Sequence, residues 1–289
     1  MSKPFKTIEE QVALLRKRGL NIKDEGLAQQ FLLENNYYRV SGYSLTLRKG
    51  DKFYPNANFE KLIQIYECDQ EVRNTILKMT EGIEIKIKSL FAYYFCESCN
   101  PLEYDDVTKY SDADEFDRIF KKTEELKNNW KIHEKFLQHF EEINEKPPFW
   151  AYVDLFTLSN ISKLYQIFID KDIKIKIANN FGYPSIKPFE NAIHSISIIR
   201  NMCAHGVRLY NKIFIRKPDL SGEEKELLRN INGEKDYSHL FSYILIIKRL
   251  VSKHQFEKFK STMITLKNTF NSVNFVNHYG FNPLWETLL

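Results

Sequence analysis

The stretch over residues 59–95 constrains the fold most, because its apolar residues recur at the spacing of an α-helix. One stripe on that spacing carries Ile83, Ile87, Phe91 and Tyr94. The length predicts one long helix, or two helices broken near Gly82. Glycine and proline are scarce, with 10 and 9 in 289 residues, which favours long helices over a turn-rich β fold. We therefore predict an all-α fold.

The rest of the chain also divides into helical stretches. Thr7-x-x-Glu10 is the capping-box pattern of a helix start. Helical spacing then predicts helices up to about residue 19 and over 25–35, 150–169 with an interruption near 159–160, 171–180, 188–205, 237–252 and 256–269. Residues 44–48 and 52–54 are compatible with a small hairpin.

We expect a single domain over residues 1–289, with no internal repeat and no linker. A hydrophobic content of 43% and a charged content of 28% are typical of a globular protein of this size. Residues 1–58 would form a small irregular and helical N-terminal part. Residues 59–289 would form a helical core with extra C-terminal helices and a charged helical insertion at about 112–146.

A short pattern at the end of one predicted helix suggests chemistry. Arg200 and His205 have the R-x4-H spacing of a metal-independent RNA-cleaving site, and Asn201 directly follows the arginine. Spacing alone is weak evidence, because Arg249 and His254 repeat it. Context favours the first match, since Asn201 and His205 are four residues apart and share a helix face. The second match has the composition of a solvated helix face.

These residue types suit cleavage of RNA by its own 2′-OH, which needs a proton acceptor, a proton donor and a cation at the phosphorane. His205 can transfer protons, and Arg200 can hold a phosphate in a bidentate grip. Asn201 can orient the imidazole or bind phosphate. Because one histidine serves poorly as both base and acid, two motifs across a homodimer would complete the site. The alternative is a buried Arg and His that satisfy the end of a helix.

Polar and basic residues follow the motif and are suited to phosphate groups: Arg208, Tyr210, Asn211 and Lys212. The net charge of +4 is compatible with a nucleic-acid partner without requiring one.

A metal site and a membrane segment are not indicated. Cys96 and Cys99 form a single C-x-x-C with no second pair, whereas zinc needs three or four ligands. We therefore expect free thiols, no metal and no cofactor. The N-terminus lacks the apolar core of a signal peptide, and no apolar run is long enough to span a bilayer. These features predict a cytoplasmic protein without membrane contact.

Several blocks of the chain carry a resemblance to a known family. Arg200-Asn201-x-x-Ala204-His205 with Arg208 and Asn211 resembles the HEPN superfamily, and specifically its Abi-like family (AbiD/AbiF type) of bacterial abortive-infection proteins. The blocks that fit lie in the family's order at residues 3–15, 36–43, 59–73, 81–84, 147–150 and 279–285.

The resemblance implies an all-α HEPN-type bundle, a homodimer, and a ribonuclease activated during phage infection that leaves 2′,3′-cyclic phosphate ends. It implies catalytic roles for Arg200 and His205, with Asn201 and the acidic Glu84 assisting. Some relatives act with a small non-coding RNA or an antitoxin. Two alternatives therefore remain: an RNA-binding protein that does not cut, and a toxin silenced by modification or by a partner protein.

The block at residues 36–43 is distinctive but has no chemistry that the residues alone define. Tyr38 and Arg39 have side chains able to stack on bases or grip phosphate. The alternative is aromatic packing beneath the bundle, with Arg39 as a structural ion-pair partner.

Overall fold

The longest element of the computed structural model is a helix of 40 residues, α4 (Phe59–Ser98). Asn58 caps its start, because the side-chain oxygen accepts a hydrogen bond from the Lys61 N–H at 2.8 Å. At 1.5 Å per residue the helix is about 60 Å long. Its buried stripe includes Ile83, Ile87 and Phe91. The predicted long stretch is therefore one helix, and Gly82 does not break it.

The structure describes residues 4–130 and 134–289, is 67% helical, and within this part has only two-stranded sheets. The predicted all-α fold is confirmed. The other helices are α1 (Ile8–Lys17), α2 (Glu25–Asn35), α3 (Tyr37–Tyr43), α5 (Ala113–Trp130), α6 (Lys135–Glu142), α7 (Phe149–Tyr152), α8 (Leu158–Ile167), α9 (Lys171–Asn180), α10 (Ile186–Ala204), α11 (Gly222–Glu226), α12 (Leu240–Leu250), α13 (Lys253–Thr269), α14 (Phe275–Tyr279) and α15 (Trp285–Leu288). The antiparallel strand pairs are β1 (Arg48–Lys49) with β2 (Lys52–Phe53), and β3 (Asn230–Ile231) with β4 (Glu234–Lys235).

Helix α10 lies in the centre of the fold, in contact with α4, α8, α9 and α12. Its buried side includes Phe189, Ile193, Ile196 and Ile199. Helix α12 is buried along most of its length, from Leu240 to Ile247. Burial of these apolar side chains is the main stabilising contribution in a fold of this kind. The packing fixes α10 on its apolar sides and leaves the polar residues near its end at the surface.

The N-terminal part contains three helices and the first strand pair. Thr7 and Glu10 form the predicted capping box, with hydrogen bonds of 2.8 and 3.3 Å. The first hairpin is shorter than predicted, because residues Ser44–Leu47 form a 3-10 helix. The sequence does not predict α3, which is capped by the side chain of Asn36 at a backbone φ of +58°.

The predicted helix over 150–169 is interrupted earlier than residues 159–160. Helix α7 and a 3-10 turn end at Leu155, and α8 starts after Thr157. The Thr157 hydroxyl accepts a hydrogen bond from the Asn160 N–H at 3.2 Å, so Thr157 is the cap that restarts the helix. The sequence also does not predict the short helices α11, α14 and α15 or the pair β3 and β4.

Charged residues of α5 face solvent, but the helix also contacts α8 and buries Phe116 and Ile119. All four cysteines are free thiols. Across residues 4–130 and 134–289, every helix is too short or too polar to cross a membrane.

Candidate functional site

The motif lies where α10 ends. Ala204 is the last helical residue, and the backbone N–H of His205 donates to the Asn201 carbonyl at 3.0 Å. Gly206 then adopts a φ of +63°, which ends the helix as its glycine predicts. The Val207 N–H returns to the Met202 carbonyl at 2.8 Å and closes the turn. His205 is therefore held by the backbone at the surface end of the central helix.

Arg200 faces α4. Its Nη2 lies 3.6 Å from Oε2 of Glu84, and Glu84 lies 3.1 Å from Nζ of Lys88. The Arg200 side chain is 34% exposed and that of Glu84 is 14% exposed, so the guanidinium remains partly open to solvent. The expected acidic neighbour of the motif is thus an ion-pair partner of Arg200.

Asn201 connects Arg200 to α8. Its Nδ2 donates to Oγ of Ser159 at 2.8 Å, and its Oδ1 accepts from Nη1 of Arg200 at 3.4 Å. Ser159 is a site residue that the sequence does not identify, because it is distant in the chain and belongs to no motif. These bonds fix the amide of Asn201 beside the guanidinium.

The His205 imidazole is solvent-exposed, and within the described residues its ring has no hydrogen-bond partner. It lies one helical turn after Asn201. A ring in this position is accessible to a substrate and is not engaged in packing. The structure thus brings Arg200, Asn201 and Glu84 together, and the exposed His205 follows one helical turn after Asn201 at the end of α10.

Arg39 reaches the motif from the N-terminal part. An ideal Cβ at Gly206 would come within 2.9 Å of its Nη2 and 3.3 Å of its Nη1, so the guanidinium lies against this turn. Arg39 Nε donates to the Tyr66 hydroxyl at 2.9 Å, and Arg39 has no ion pair in the described residues. The cation therefore adjoins His205. The neighbouring Tyr38 is 76% exposed and makes no side-chain contact with the motif in the described residues.

Arg208 is fixed by the same N-terminal block. Its Nη1 donates to the carbonyl of Gly42 in α3. The residue-36–43 block therefore contacts the motif region twice, through Arg39 at Gly206 and through Arg208 at Gly42.

A buried carboxylate organises the segment after the motif. Asp69 on α4 is fully buried and accepts five hydrogen bonds. The donors are the hydroxyls of Tyr43 and Tyr279, the guanidinium of Arg73, and the backbone N–H groups of Leu209 and Tyr210. Burial raises the pKa of the Asp69 carboxyl, and the Arg73 charge and the other donors oppose that rise. The sequence signal for Asp69 is a carboxylate four residues before an arginine on an otherwise apolar stripe.

Tyr210 lies in the core, at odds with the prediction that it contacts RNA. It is 1% exposed, and its hydroxyl bonds to Oγ1 of Thr46 at 2.8 Å and to Nε2 of His278 at 3.2 Å. Burial raises the pKa of Tyr210 to about 12. The large apolar ring is more favourable in the core than at the surface, so the structure gives Tyr210 a packing position.

The other polar residues after the motif are at the surface. Asn211 is exposed at a φ of +50°, and Lys212 is half-buried. The chain then returns along α10, where the Asp219 N–H donates to Oδ1 of Asn191 at 3.0 Å. Along this path burial lowers the pKa of His194, and the charges of Arg216 and Lys163 add to the effect. Arg216 and Lys163 therefore lie near His194 on α10, and the acidic Asp219 lies on the same stretch.

No group of three or more His, Cys, Asp or Glu side chains in residues 4–130 and 134–289 is arranged to hold a metal ion. A protein-family model described as Abi-like protein matches residues 30–211, which is more than half of the chain. No curated protein matches the chain, and no solved structure matches it. The family match begins before Arg39 and ends after the motif, so it includes both parts of the candidate site.

Proposed function

The chain belongs to the Abi-like protein family, and from this premise we propose that it is a metal-independent RNA endonuclease acting in abortive-infection defence against phage. The observation that carries the proposal is the cluster at the end of α10, where Arg200 and Asn201 are hydrogen-bonded beside an exposed His205. Arg200 and Asn201 carry two of the polar groups that RNA cleavage would use, and the exposed His205 follows one turn later on the same helix end. A nuclease acting on cellular RNA would work in the cytoplasm.

The proposed reaction uses the ribose 2′-OH as the nucleophile. His205 transfers a proton, Arg200 stabilises the charge of the phosphorane, and Asn201 positions the phosphate or the imidazole. The 2′-oxygen forms a bond to phosphorus while the bond to the 5′-oxygen breaks. The products are therefore a 2′,3′-cyclic phosphate and a 5′-OH, and the proton lost by the 2′-OH is balanced by the proton that the leaving 5′-oxygen gains.

Cations around the motif would hold the RNA backbone. Arg39 lies against the turn after His205, Lys212 is in the segment that follows the motif, and Arg216 lies near His194 of α10. Arg208 and Asn211 precede Lys212 in this segment, and Arg208 is anchored to the N-terminal block. Phosphate contacts of this kind position a nucleic acid without reading its sequence.

We propose a homodimer because each chain supplies only one motif histidine, His205. General-base and general-acid steps need two proton-transfer groups, and a second copy would bring a second His205 to the same site. The exposure of His205 is compatible with such an arrangement.

A second candidate function is an RNA-binding protein, or a restrained nuclease that holds a small non-coding RNA or an antitoxin. The observation that favours it is the ion pair between Arg200 and Glu84 at 3.6 Å. A guanidinium paired with a carboxylate has fewer donors for a phosphate. Release of that pair by a partner or a modification would then activate the site.

The test is to express the wild type and His205→Ala from a tightly controlled promoter in bacteria, with His254→Ala as the matched control from the second R-x4-H match. We expect the wild type and His254→Ala to arrest growth and to produce RNA fragments with cyclic phosphate ends, and His205→Ala to do neither. Equal toxicity of all three proteins would remove His205 from the mechanism. A harmless wild type that is purified with intact bound RNA would favour the binding function.

A further inference from the structure

A cavity of about 440 Å³ lies between α4, the turn after α9, and the junction of α12 with α13. Its lining includes Lys86, Phe181, Arg249, Ser252 and Gln255. Lys86 and Glu84 are two residues apart on α4, so their side chains point in directions roughly 160° apart. The cavity is therefore separate from the surface that carries the motif.

A second, larger cleft of about 680 Å³ adjoins the cavity at Arg249, which lines both. The apolar side chains of Leu227 and Leu245 line this cleft, and besides Arg249 its charged lining residues are Glu223, Glu224 and Lys248. Each of the two spaces has the volume of sites that hold small organic molecules. Arg249 is thus the side chain that a ligand spanning both would contact.

The Arg249 guanidinium is held by a ring contact and an ion pair, but its N–H groups lack hydrogen-bond acceptors in the described residues. It lies 3.9 Å from the ring centroid of Tyr183 and 3.8 Å from Oε2 of Glu224, and it makes no hydrogen bond in the described residues. Glu224 already accepts from the Ser221 N–H at 2.7 Å. Most of the five N–H donors of Arg249 are therefore open to a ligand.

A buried hydroxyl next to Arg249 also lacks a partner. Tyr183 is fully buried, and its hydroxyl has no hydrogen bond in the described residues. Buried polar atoms usually have a hydrogen-bond partner. Tyr183 lines neither of the two spaces, so its ring supports Arg249 from beneath and is not itself a ligand contact.

The smaller cavity is electropositive. Within the described residues no Asp or Glu lines it, while Lys86 and Arg249 do. Helix α13 begins here after its cap Ser252, and the first turn carries Lys253 and His254 and no acidic residue. The capping box of Ser252 and Gln255 satisfies two N–H groups at this helix start, at 3.0 and 3.3 Å, so the positive end of the helix only adds to the charges of Lys86 and Arg249. The arrangement favours a negatively charged occupant.

Lys86 is held at the rim of the cavity. Its Nζ donates to the Asn180 carbonyl at 2.8 Å and lies 4.2 Å from the ring centroid of Phe181. These contacts direct the ammonium group over the aromatic ring, beside the start of α13. An anion in the cavity would meet Lys86 on one side and Arg249 on the other.

We propose that this cleft binds a small phosphate-bearing organic molecule. The phosphate lies between Arg249 and Lys86 at the start of α13, and the organic part occupies the larger cleft against Leu227 and Leu245. Arg249 makes the bidentate contacts for which a guanidinium is suited. The site is independent of RNA cleavage, and it gives a role to Arg249 of the second R-x4-H match, which the motif surface leaves unused.

The experiment is a calorimetric titration of the full chain with inorganic phosphate, AMP and ATP at low salt. We expect saturable binding of AMP or ATP, tighter than that of inorganic phosphate because the organic part adds contacts. Arg249→Met and Lys86→Met should each weaken that binding at least about tenfold, since each removes a charged contact to phosphate. Arg118→Met removes a 67% exposed guanidinium on α5 and should leave the binding unchanged.

Methionine keeps the length of the removed side chains, so the packing on Tyr183 and Phe181 is largely preserved. If Arg249→Met fails to fold, Lys86→Met alone decides the question. Absence of saturable binding by AMP and ATP, or unchanged affinity in the folded variants, would overturn the proposal. A single-stranded RNA oligonucleotide that binds through Arg249 when AMP and ATP do not would also overturn it, because the cleft would then belong to a nucleic-acid path.

Discussion

The Arg39 guanidinium lies against the backbone of Gly206, the residue that follows His205. An ideal Cβ at position 206 would come within 2.9 Å of Arg39 Nη2, and the Tyr66 hydroxyl holds Arg39 from the other side at 2.9 Å. Two segments that are distant in the chain therefore form one surface. This contact joins the residue-36–43 block to the turn after the motif.

Gly206→Ala should disturb this surface more than it disturbs the fold. Alanine at a φ of +63° is strained by about 1 kcal/mol, and its Cβ would displace Arg39. We expect a loss of roughly 1–2 kcal/mol in the free energy of unfolding, measured with urea, and weaker cleavage of a labelled RNA.

Gly50→Ala is the matched control, because Gly50 has a φ of +58° and open space around its Cβ position. It should show the backbone strain alone and cleave RNA like the wild type. If the two alanine variants lose the same stability and cleave equally well, the contact with Arg39 has no role in the site.

Arg39→Gln should weaken RNA binding through the loss of one phosphate contact. In a His205→Ala background, which separates binding from cleavage, the slope of log affinity against log salt should fall by about 1. Arg16→Gln is the control, since Arg16 pairs with Glu25 on the N-terminal helices. The slope is measured by fluorescence anisotropy, and an equal slope in both variants would remove Arg39 from the RNA path.

Asp69→Asn should destabilise the protein strongly. Arg73 is 4% exposed and would keep its charge without an anionic partner. Breaking a buried ion pair on one side costs about 3–5 kcal/mol. Urea denaturation should show this loss, whereas Asp51→Asn, at an exposed pair with Arg18, should lose less than about 1 kcal/mol. A similar small loss in both variants would contradict the role of Asp69 in holding the segment after the motif.

Local signals in the sequence predict the helices well. Helices α2 and α9 have the predicted bounds, because Asp24 and Asp170 cap their first turns and apolar spacing continues to their ends. Helix α3 is different. It has only 7 residues, and it is stabilised by contacts with distant residues such as that of Tyr43 with Asp69. Short helices of this kind have little local signal.

For the candidate site, the sequence predicts the position of the motif at a helix end, but it does not predict which distant residues contact the motif. Spacing and the glycine at 206 place His205 at the end of a helix. The sequence alone does not show that Ser159 contacts Asn201 or that Arg39 contacts the turn, because these pairs depend on how α8 and α3 pack. Tyr210 has polar neighbours in the chain, but its own backbone bond to Asp69 directs the ring into the core.

Acidic pH should destabilise the fold through His278. Its Nε2 contacts the Tyr210 hydroxyl at 3.2 Å, and burial together with the Arg229 charge lowers the pKa of His278 from 6.5 to about 4. Between these values the unfolded chain binds a proton and the native protein does not, so stability falls as the pH drops from about 6.5 to 4. The loss is at most roughly 3 kcal/mol.

The measurement is the free energy of unfolding against pH for the wild type and for His278→Gln. The variant should be less stable at neutral pH and should show a smaller fall between pH 6.5 and 4, with His254→Gln as the control for an exposed histidine. Parallel curves for wild type and His278→Gln would show that His278 does not titrate with folding.

Ser159→Ala should lower cleavage while the fold and the RNA affinity persist. Ser159 accepts from Asn201 Nδ2 at 2.8 Å and so determines the orientation of the amide next to Arg200. Without this hydroxyl the amide can rotate, and misplacement of a positioning group costs about tenfold in rate or more. The free energy of unfolding should change by less than about 1.5 kcal/mol.

Ser159→Thr, which keeps a hydroxyl, should restore most of the rate. Ser197→Ala on α10 removes a hydroxyl that bonds only within its own helix, to the His194 carbonyl, and should cleave like the wild type. Single-turnover cleavage of a labelled RNA measures the rates. A wild-type rate in Ser159→Ala would mean that Asn201 does not need α8 for its position, and the role of Asn201 would then rest on its contact with Arg200 alone.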